Sequence, residues 1–167
     1  MTQRYYDICV VGGGILGSFV AKNCAKRWPG ASVALLESEA QLHTHNSSRN
    51  SGVLHSGLYY APGTLKARMS VSGTKAMKDY CAEHSIPISN CGKLVVPTTE
   101  PQHRTLEILL EQGRKNGVEV EKVDAADMLR MEPSSNPNDS FRYALFSPST
   151  SVTSISGILE AVKKELS

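Results

Sequence analysis

The stretch from Tyr6 to Glu37 constrains this chain more than any other part of it. Glycines 12, 14 and 17 spell G-x-G-x-x-G. The pattern directly follows the apolar run YDICVVG (6–12) and directly precedes a segment, Ile15 to about Trp28, in which small and apolar residues recur at helical spacing. Pro29 and Gly30 stop that helix, and SVALLE at 32–37 forms a second apolar run. A strand, a helix and a strand in about 30 residues make a β-α-β unit. Two such continuously apolar runs predict parallel strands buried on both faces.

Each glycine has a mechanical reason. Gly12 permits the tight turn, Gly14 lets a pyrophosphate approach the backbone, and Gly17 lets the helix pack closely on the strand. The amino terminus of the helix then offers N–H groups and a positive dipole end to the phosphates. Glu37 falls 20 residues after Gly17, at the end of the second strand, where its carboxylate can accept hydrogen bonds from ribose hydroxyls. A carboxylate there argues against a 2′-phosphate and leaves NAD or FAD. Strand, helix and acidic residue together turn a weak glycine pattern into a specific one.

The segment after Glu37 separates the two dinucleotides. In a plain NAD domain the second strand leads soon into another helix of the same sheet. Here a loop runs from Ser38 to about Gly63, rich in Ser, Asn, Gly and His, and it contains Val53, Leu54, Leu58, Tyr59 and Tyr60. Loops that long are functional or disordered, and apolar and aromatic residues favour the former. A small-residue segment such as SSRNSG (47–52) suits a backbone that lies against a large flat ring, which favours FAD.

Beyond the loop, residues 64–84 read as an amphipathic helix with Leu65, Met69, Ala76, Met77, Tyr80 and Cys81 on one face. GKLVVPT (92–98) reads as a strand. Pro101 opens a helix with a Leu106, Leu109, Leu110 face, closed by Asn116 and Gly117. VEVEKV (118–123) alternates like a half-buried strand, Asp124 caps a short helix ended by Pro133, and SSNPNDS (134–140) is turn-rich. RYALFS (142–147) is a strand, and Ile155, Ile158, Leu159, Val162 and Leu166 stripe a last helix. The 167 residues, 40% hydrophobic and 20% charged with a formal net charge of +2, are those of a globular protein. The near-neutral charge gives no electrostatic case for nucleic acid. Cys9, Cys24, Cys81 and Cys91 contain no C-x-x-C pair, so they read as buried thiols rather than a metal site or disulfide framework. No apolar run is long enough to span a bilayer, and too few residues precede the first strand for a presequence, so a cytoplasmic location is expected.

YDICVVGGGILGSFVAKNCA, NSGVLHSGLYYAPGTLKA and NCGKLVV together resemble the amino-terminal half of the FAD-dependent oxidoreductases of the D-amino-acid-oxidase type, and among them the L-2-hydroxyglutarate dehydrogenase and oxidase branch. The resemblance covers nearly the whole chain. It implies that Gly12, Gly14, Gly17 and Glu37 hold the ADP half of FAD, and that Ser48, Arg49, Asn50, Ser51 and Gly52 follow the phosphates and flavin. It puts His55, Tyr59 and Tyr60 on the flavin and substrate side. In this family an L-2-hydroxy acid gives its C2 hydride to the flavin while a base takes the hydroxyl proton. His55 has the intrinsic pKa for that base, or else orients the ring without moving a proton. Tyr59 and Tyr60 also read as core aromatics. Arg49, Lys66, Arg68 and Lys93 are candidates for a substrate carboxylate, with Lys66 and Arg68 reading better as a solvated helix face and Lys93 also as a side chain snorkelling at a sheet edge.

Two departures stand out. Related enzymes tend to carry His at position 49, and a T-G-[IV]-[VI] turn where this chain has Thr150, Ser151, Val152 and Thr153. The second departure touches a position expected to favour glycine. The expected architecture is α/β: a Rossmann-type FAD-binding portion over 1–80 with its sheet incomplete, a partial α+β substrate lobe over 81–150, and a helix over 151–167 that returns toward the first part. Family members continue well past residue 167. Without a complementing carboxy-terminal segment the expectation is weak FAD binding and no turnover. Three other readings stay open: a non-catalytic variant binding nucleotide or a partner, an FAD-dependent amino acid oxidase, and an NAD-dependent dehydrogenase. By resemblance, the location would be mitochondrial or membrane-associated.

Overall fold

A computed structural model describes residues 4–137 and 141–166. In chain order the elements are β1 (Ile8–Val11), α1 (Ile15–Arg27), β2 (Val33–Leu36), β3 (Val53–Leu54), α2 (Leu65–Glu83), β4 (Ile88–Ser89), β5 (Lys93–Val95), α3 (Glu100–Lys115), β6 (Glu121–Val123), α4 (Ala125–Met131), β7 (Ala144–Ser147), β8 (Ser151–Thr153) and α5 (Ile155–Glu165). They divide into two compact units. The first comprises the residues up to Gly52, His84–Pro87 and those from Ser154 on, and the second comprises Val53–Glu83 and Ile88–Thr153.

In the first unit β1 and β2 pair in parallel, with Ile8 opposite Val33 and Val11 opposite Leu36. Helix α1 buries Ser18 and Ala21. Helix α5 buries Ile158, Leu159 and Val162, the predicted stripe, and Ser154 caps it by accepting from the Gly157 N–H at 3.1 Å. Lys22 and Glu165 tie α1 to α5 at 2.7 Å.

The strands are not buried on both faces as their composition suggests. Val11 is 83% exposed and Leu36 52%, and Cys9 is exposed as well. The physical reason is that β1 has only β2 beside it among the described residues, and two strands cannot cover both faces of a parallel sheet.

The second unit holds two antiparallel three-stranded sheets, ordered β3-β8-β4 and β5-β7-β6. Its core is built around Leu106, Leu110 and Leu145 and around Val123, Met128 and Ala144. Asp124 caps α4 through the Asp127 N–H at 2.8 Å, and Gln102 Oε1 accepts from the Thr99 N–H at 3.3 Å at the start of α3. Helix α2 keeps the carboxy-terminal half of the predicted face and corrects the rest. Tyr80 and Cys81 are buried and Met77 is half-buried, whereas Leu65 and Met69 are 63% and 62% exposed and Ala76 is exposed. The amino-terminal half packs instead through Ala67, Val71 and Thr74, a face one residue round that a hydrophobicity period alone does not distinguish.

The buried-thiol expectation holds for Cys81, whose Sγ lies 3.4 Å from Thr153 Oγ1. Cys24 is half-buried and Cys91 is exposed, and all four cysteines are free. Strands β3, β4 and β8 have two or three residues each, too few to announce a period. Of the turn-rich SSNPNDS segment, residues 138–140 lie outside the described residues. Among the described residues no helix is long and apolar enough to cross a membrane.

Candidate functional site

The turn between β1 and α1 is held by the backbone. Gly12 has φ +103°, a conformation open to glycine at little cost, and its N–H donates to the Leu36 carbonyl at 2.8 Å. A Cβ at Gly17 would stand 1.8 Å from the Gly12 carbonyl oxygen, so no side chain fits there. At Gly14, the N-cap, a Cβ would meet Ser47 Oγ at 3.2 Å.

Glu37 reaches across from the end of β2 to this turn. Its Oε2 accepts from the Gly13 N–H at 2.7 Å, and its Oε1 accepts from the Ser38 N–H at 2.7 Å, the Ser38 hydroxyl at 3.0 Å and the Glu39 N–H at 3.1 Å. These bonds, led by those from Glu39 and Gly13, hold its pKa down at about 2. Oε2, with a single partner here, keeps capacity for a further donor such as a ribose hydroxyl. The residues present therefore fit the adenosine end of a dinucleotide.

Two further residues at this turn went unread in the sequence. Ser47 Oγ accepts from the Ile15 N–H at 2.9 Å, satisfying the first amide of α1. His43 is buried, 7% exposed, with φ 66°. Its backbone N–H donates to the Gly13 carbonyl at 3.2 Å, and its Nε2 lies 2.9 Å from the hydroxyl of the fully buried Ser18. Burial first, then the Lys163 charge, push its pKa down, against the pull of Glu37, so the ring stays neutral. The only sequence signal was a clustering of His43, His45 and His55 in one loop, and nothing in it singled out His43.

Within the SSRNSG segment, Ser48 Oγ donates to the His45 carbonyl at 3.0 Å. Asn50 bridges the Ser47 carbonyl and the Gly52 N–H, each at 3.0 Å. Arg49 and Ser51 are exposed, and Gly52 is buried with φ 69°.

The second unit carries a separate cavity of about 100 Å³, lined by residues 55–60 with Lys93 and Thr150. Its floor is fixed by polar bonds. Asn116 Nδ2 donates to the Gly57 carbonyl at 3.2 Å and to the Tyr60 carbonyl at 2.8 Å. The buried Ser56 hydroxyl lies 3.1 Å from that of Ser147 and 3.5 Å from that of Thr150. The His55 carbonyl accepts from the Thr74 hydroxyl at 2.7 Å, while the residue itself is exposed.

The two tyrosines are not core aromatics of equal standing: Tyr59 is 44% exposed and Tyr60 is half-buried. The Lys93 ammonium sits 4.6 Å from the Tyr59 ring centre, and that of Lys66 sits 4.6 Å from the Tyr60 ring centre. Ser151, at the position expected to favour glycine, lies in β8 without a positive φ, and its buried hydroxyl donates to Asn90 Oδ1 at 2.7 Å.

Residues 7–166 match the family described as FAD dependent oxidoreductase (DAO). The chain belongs to this family. It is 40% identical over 151 residues to an L-2-hydroxyglutarate dehydrogenase, mitochondrial, of Nematostella vectensis, covering 90% of this chain and 32% of that protein. It is 35% identical over 159 residues to the L-2-hydroxyglutarate dehydrogenase of Escherichia coli K12, covering 95% of this chain and 37% of that protein. The chain thus spans about a third of the length of the curated relatives it matches. Among solved structures, the L-α-glycerophosphate oxidase of Mycoplasma pneumoniae, described with FAD bound, superposes with a TM-score of 0.84 at 23% identity, over 98% of this chain and 44% of that one. A glycine oxidase of Geobacillus kaustophilus does so with a TM-score of 0.81 at 22% identity, over 96% and 44%. Both share the fold of this chain.

Proposed function

We propose that this chain supplies the nucleotide portion and the start of the substrate lobe of an FAD-dependent enzyme that oxidises an L-2-hydroxy acid, L-2-hydroxyglutarate foremost, to the 2-oxo acid. The observation that carries the reading is the Glu37 carboxylate gathered onto the Gly13 amide, at a turn whose Gly17 admits no side chain. The names of the relatives that are 35–40% identical support the substrate class. In this reading Gly12, Gly14, Gly17 and Glu37 bind the ADP half, and Ser48 to Gly52 follow the phosphates toward the flavin.

FAD, when bound, supplies the hydride acceptor. The chain's own contributions are to orient and to move a proton. His55, which lines the cavity of the second unit, accepts the substrate hydroxyl proton as alkoxide character develops on the C2 oxygen. Asn116 holds the turn that carries His55 through its two carbonyl contacts.

The test is reconstitution. The purified chain is titrated with FAD and with NAD, and flavin fluorescence and the visible spectrum are followed. L-2-hydroxyglutarate is then added, with and without the carboxy-terminal segment of a relative, and bleaching is expected only with it. The reading expects FAD quenching that ADP competes away, weaker in Glu37→Ala. Preferential NAD binding, or FAD binding indifferent to Glu37, overturns it. A second reading, a non-catalytic nucleotide-binding partner protein, is favoured by the exposed apolar residues Val11 and Leu36 on β1 and β2. FAD retention with no bleaching by any 2-hydroxy acid, even with the carboxy-terminal segment of a relative supplied, would select it.

A further inference from the structure

The second unit holds a second, larger cavity of about 280 Å³, which the proposed reaction does not use. Helix α2 forms one of its walls and puts Lys75 and Lys78 there, about one turn apart on the same side of the helix. Lys78 is half-buried and Lys75 exposed. Among the described residues neither forms an ion pair, although Glu119 stands exposed in the same lining.

The observation that points to a ligand is Ser149. Its Oγ is buried in the wall of this cavity and has no hydrogen-bond partner among the described residues. The other hydroxyls of the lining are engaged: that of Thr74 donates to the His55 carbonyl at 2.7 Å, and that of Ser56 lies 3.1 Å from Ser147 Oγ. A buried hydroxyl left unpaired is costly, so one that faces a cavity marks where a polar atom from outside gains a bond.

Charge decides the class of that atom. Two ammonium groups against one carboxylate leave the lining net positive, and with the Ser149 hydroxyl they converge donors from more than one side. A phosphate dianion matches the set, because its charge answers two cations and its oxygens accept from several directions. Val71 and Val118 leave apolar surface for a short carbon chain, and the volume falls just below the range of about 300–1,000 Å³ that larger ligands occupy.

We propose that this cavity is a phosphate-group site for a small phosphate monoester, in which Lys78 and Lys75 hold the dianion and the Ser149 hydroxyl donates to one of its oxygens. Its binding needs neither flavin nor substrate. Thr74 fastens the His55 carbonyl, so an occupant resting against α2 here also bears on the segment that carries His55.

The experiment uses the full chain, labelled for NMR and free of FAD. It is titrated at pH 7.5, where phosphate is mostly a dianion, with inorganic phosphate, ethyl phosphate and acetate at constant ionic strength. Phosphate should shift the amide signals of Ser56, residues 74–78 and 117–119 and Ser149, and bind about fivefold more tightly than acetate. Ethyl phosphate should bind at least as tightly as phosphate. Lys78→Gln should weaken phosphate by about tenfold, with most of the affinity restored in Lys78→Arg, and Lys75→Gln, at an exposed side chain, by about threefold. Ser149→Ala is the sharpest variant: it should weaken phosphate by about tenfold while the melting temperature stays level or rises, because this hydroxyl has no protein partner to lose. A hydroxyl that serves the fold through ordered water would give the reverse, a lower melting temperature with phosphate affinity unchanged, and that result overturns the proposal. So do equal affinities for phosphate and acetate, ethyl phosphate binding more weakly than phosphate, shifts reproduced by potassium chloride, or shifts confined to residues 12–15 at the nucleotide turn.

Discussion

The glycine turn of the first unit and the cavity of the second, which has Lys93 in its wall, are built on opposite plans. At the turn the polar groups already satisfy one another: Glu37 is bonded to amides of Gly13, Ser38 and Glu39, and Ser47 to that of Ile15. A ribose hydroxyl arriving there would use the remaining capacity of a carboxylate whose other bonds hold the turn, so binding and local stability draw on the same groups. In the cavity the Lys93 ammonium lies 4.6 Å from the Tyr59 ring centre and forms no ion pair among the described residues. A ligand there need break no ion pair of Lys93. Substitutions at the turn should therefore damage stability and binding together, whereas substitutions at the cavity should change binding alone.

The largest expected effect breaks the turn itself. Gly17→Ala puts a methyl 1.8 Å from the Gly12 carbonyl oxygen, and a backbone atom cannot swing aside as a side-chain tip can. A loss of about 3 kcal/mol or more, together with loss of FAD binding, is expected in chemical denaturation and flavin titration. A fully stable Gly17→Ala would mean that the helix and strand do not pack as described.

His43→Ala comes next. It strands the buried Ser18 hydroxyl without its partner, at a cost of about 1–3 kcal/mol. The pH dependence follows from the direction of the shift. Burial lowers the His43 pKa below its ordinary 6.5, so the unfolded chain binds the proton more readily and stability falls as pH drops below about 6.5. Urea midpoints from pH 8 to 5 should show that decline in the parent and a flatter profile in His43→Ala.

Glu37→Gln should act at the acid end. With a folded pKa of about 2 against an ordinary 4.5, the contribution of Glu37 is complete above about 4.5 and disappears as pH falls toward 2. The stabilities of parent and variant should therefore converge over that window, and at neutral pH the variant should bind FAD about tenfold more weakly. Parallel profiles would show that the bonds from Glu39, Gly13 and Ser38 contribute nothing.

The smallest effect sharpens the contrast from the other side. Tyr59→Leu removes the ring beneath Lys93 at a residue that is 44% exposed, so it should cost no more than about 0.5–1 kcal/mol and barely move the melting temperature. A large drop in melting temperature would make Tyr59 a packing residue.

Much of the molecule was legible in its letters because local rules set it. The β-α-β start, α1, α3 with its Asn116 and Gly117 stop, the Asp124 cap and the α5 stripe each follow from spacing, capping or turn chemistry within a few residues. The arrival of Glu37 at the turn was legible for the same reason, since the length of one helix and one strand fixes the distance. Ser47 and His43 were not, because a loop brings them back to the turn from 32 and 25 residues away in contacts that no period encodes. Nor was the pairing of Lys93 with Tyr59, which joins a loop to a strand distant in sequence.

By itself, then, the sequence determined the family, the dinucleotide turn and the order of most elements, because backbone geometry and hydrophobic period act over a few residues. Only the tertiary structure decided which face of α2 is packed, that Val11 and Leu36 stand exposed, and which lysines meet rings instead of carboxylates. Those outcomes depend on which surfaces distant segments cover, and burial is a property of the assembled neighbours rather than of the residue.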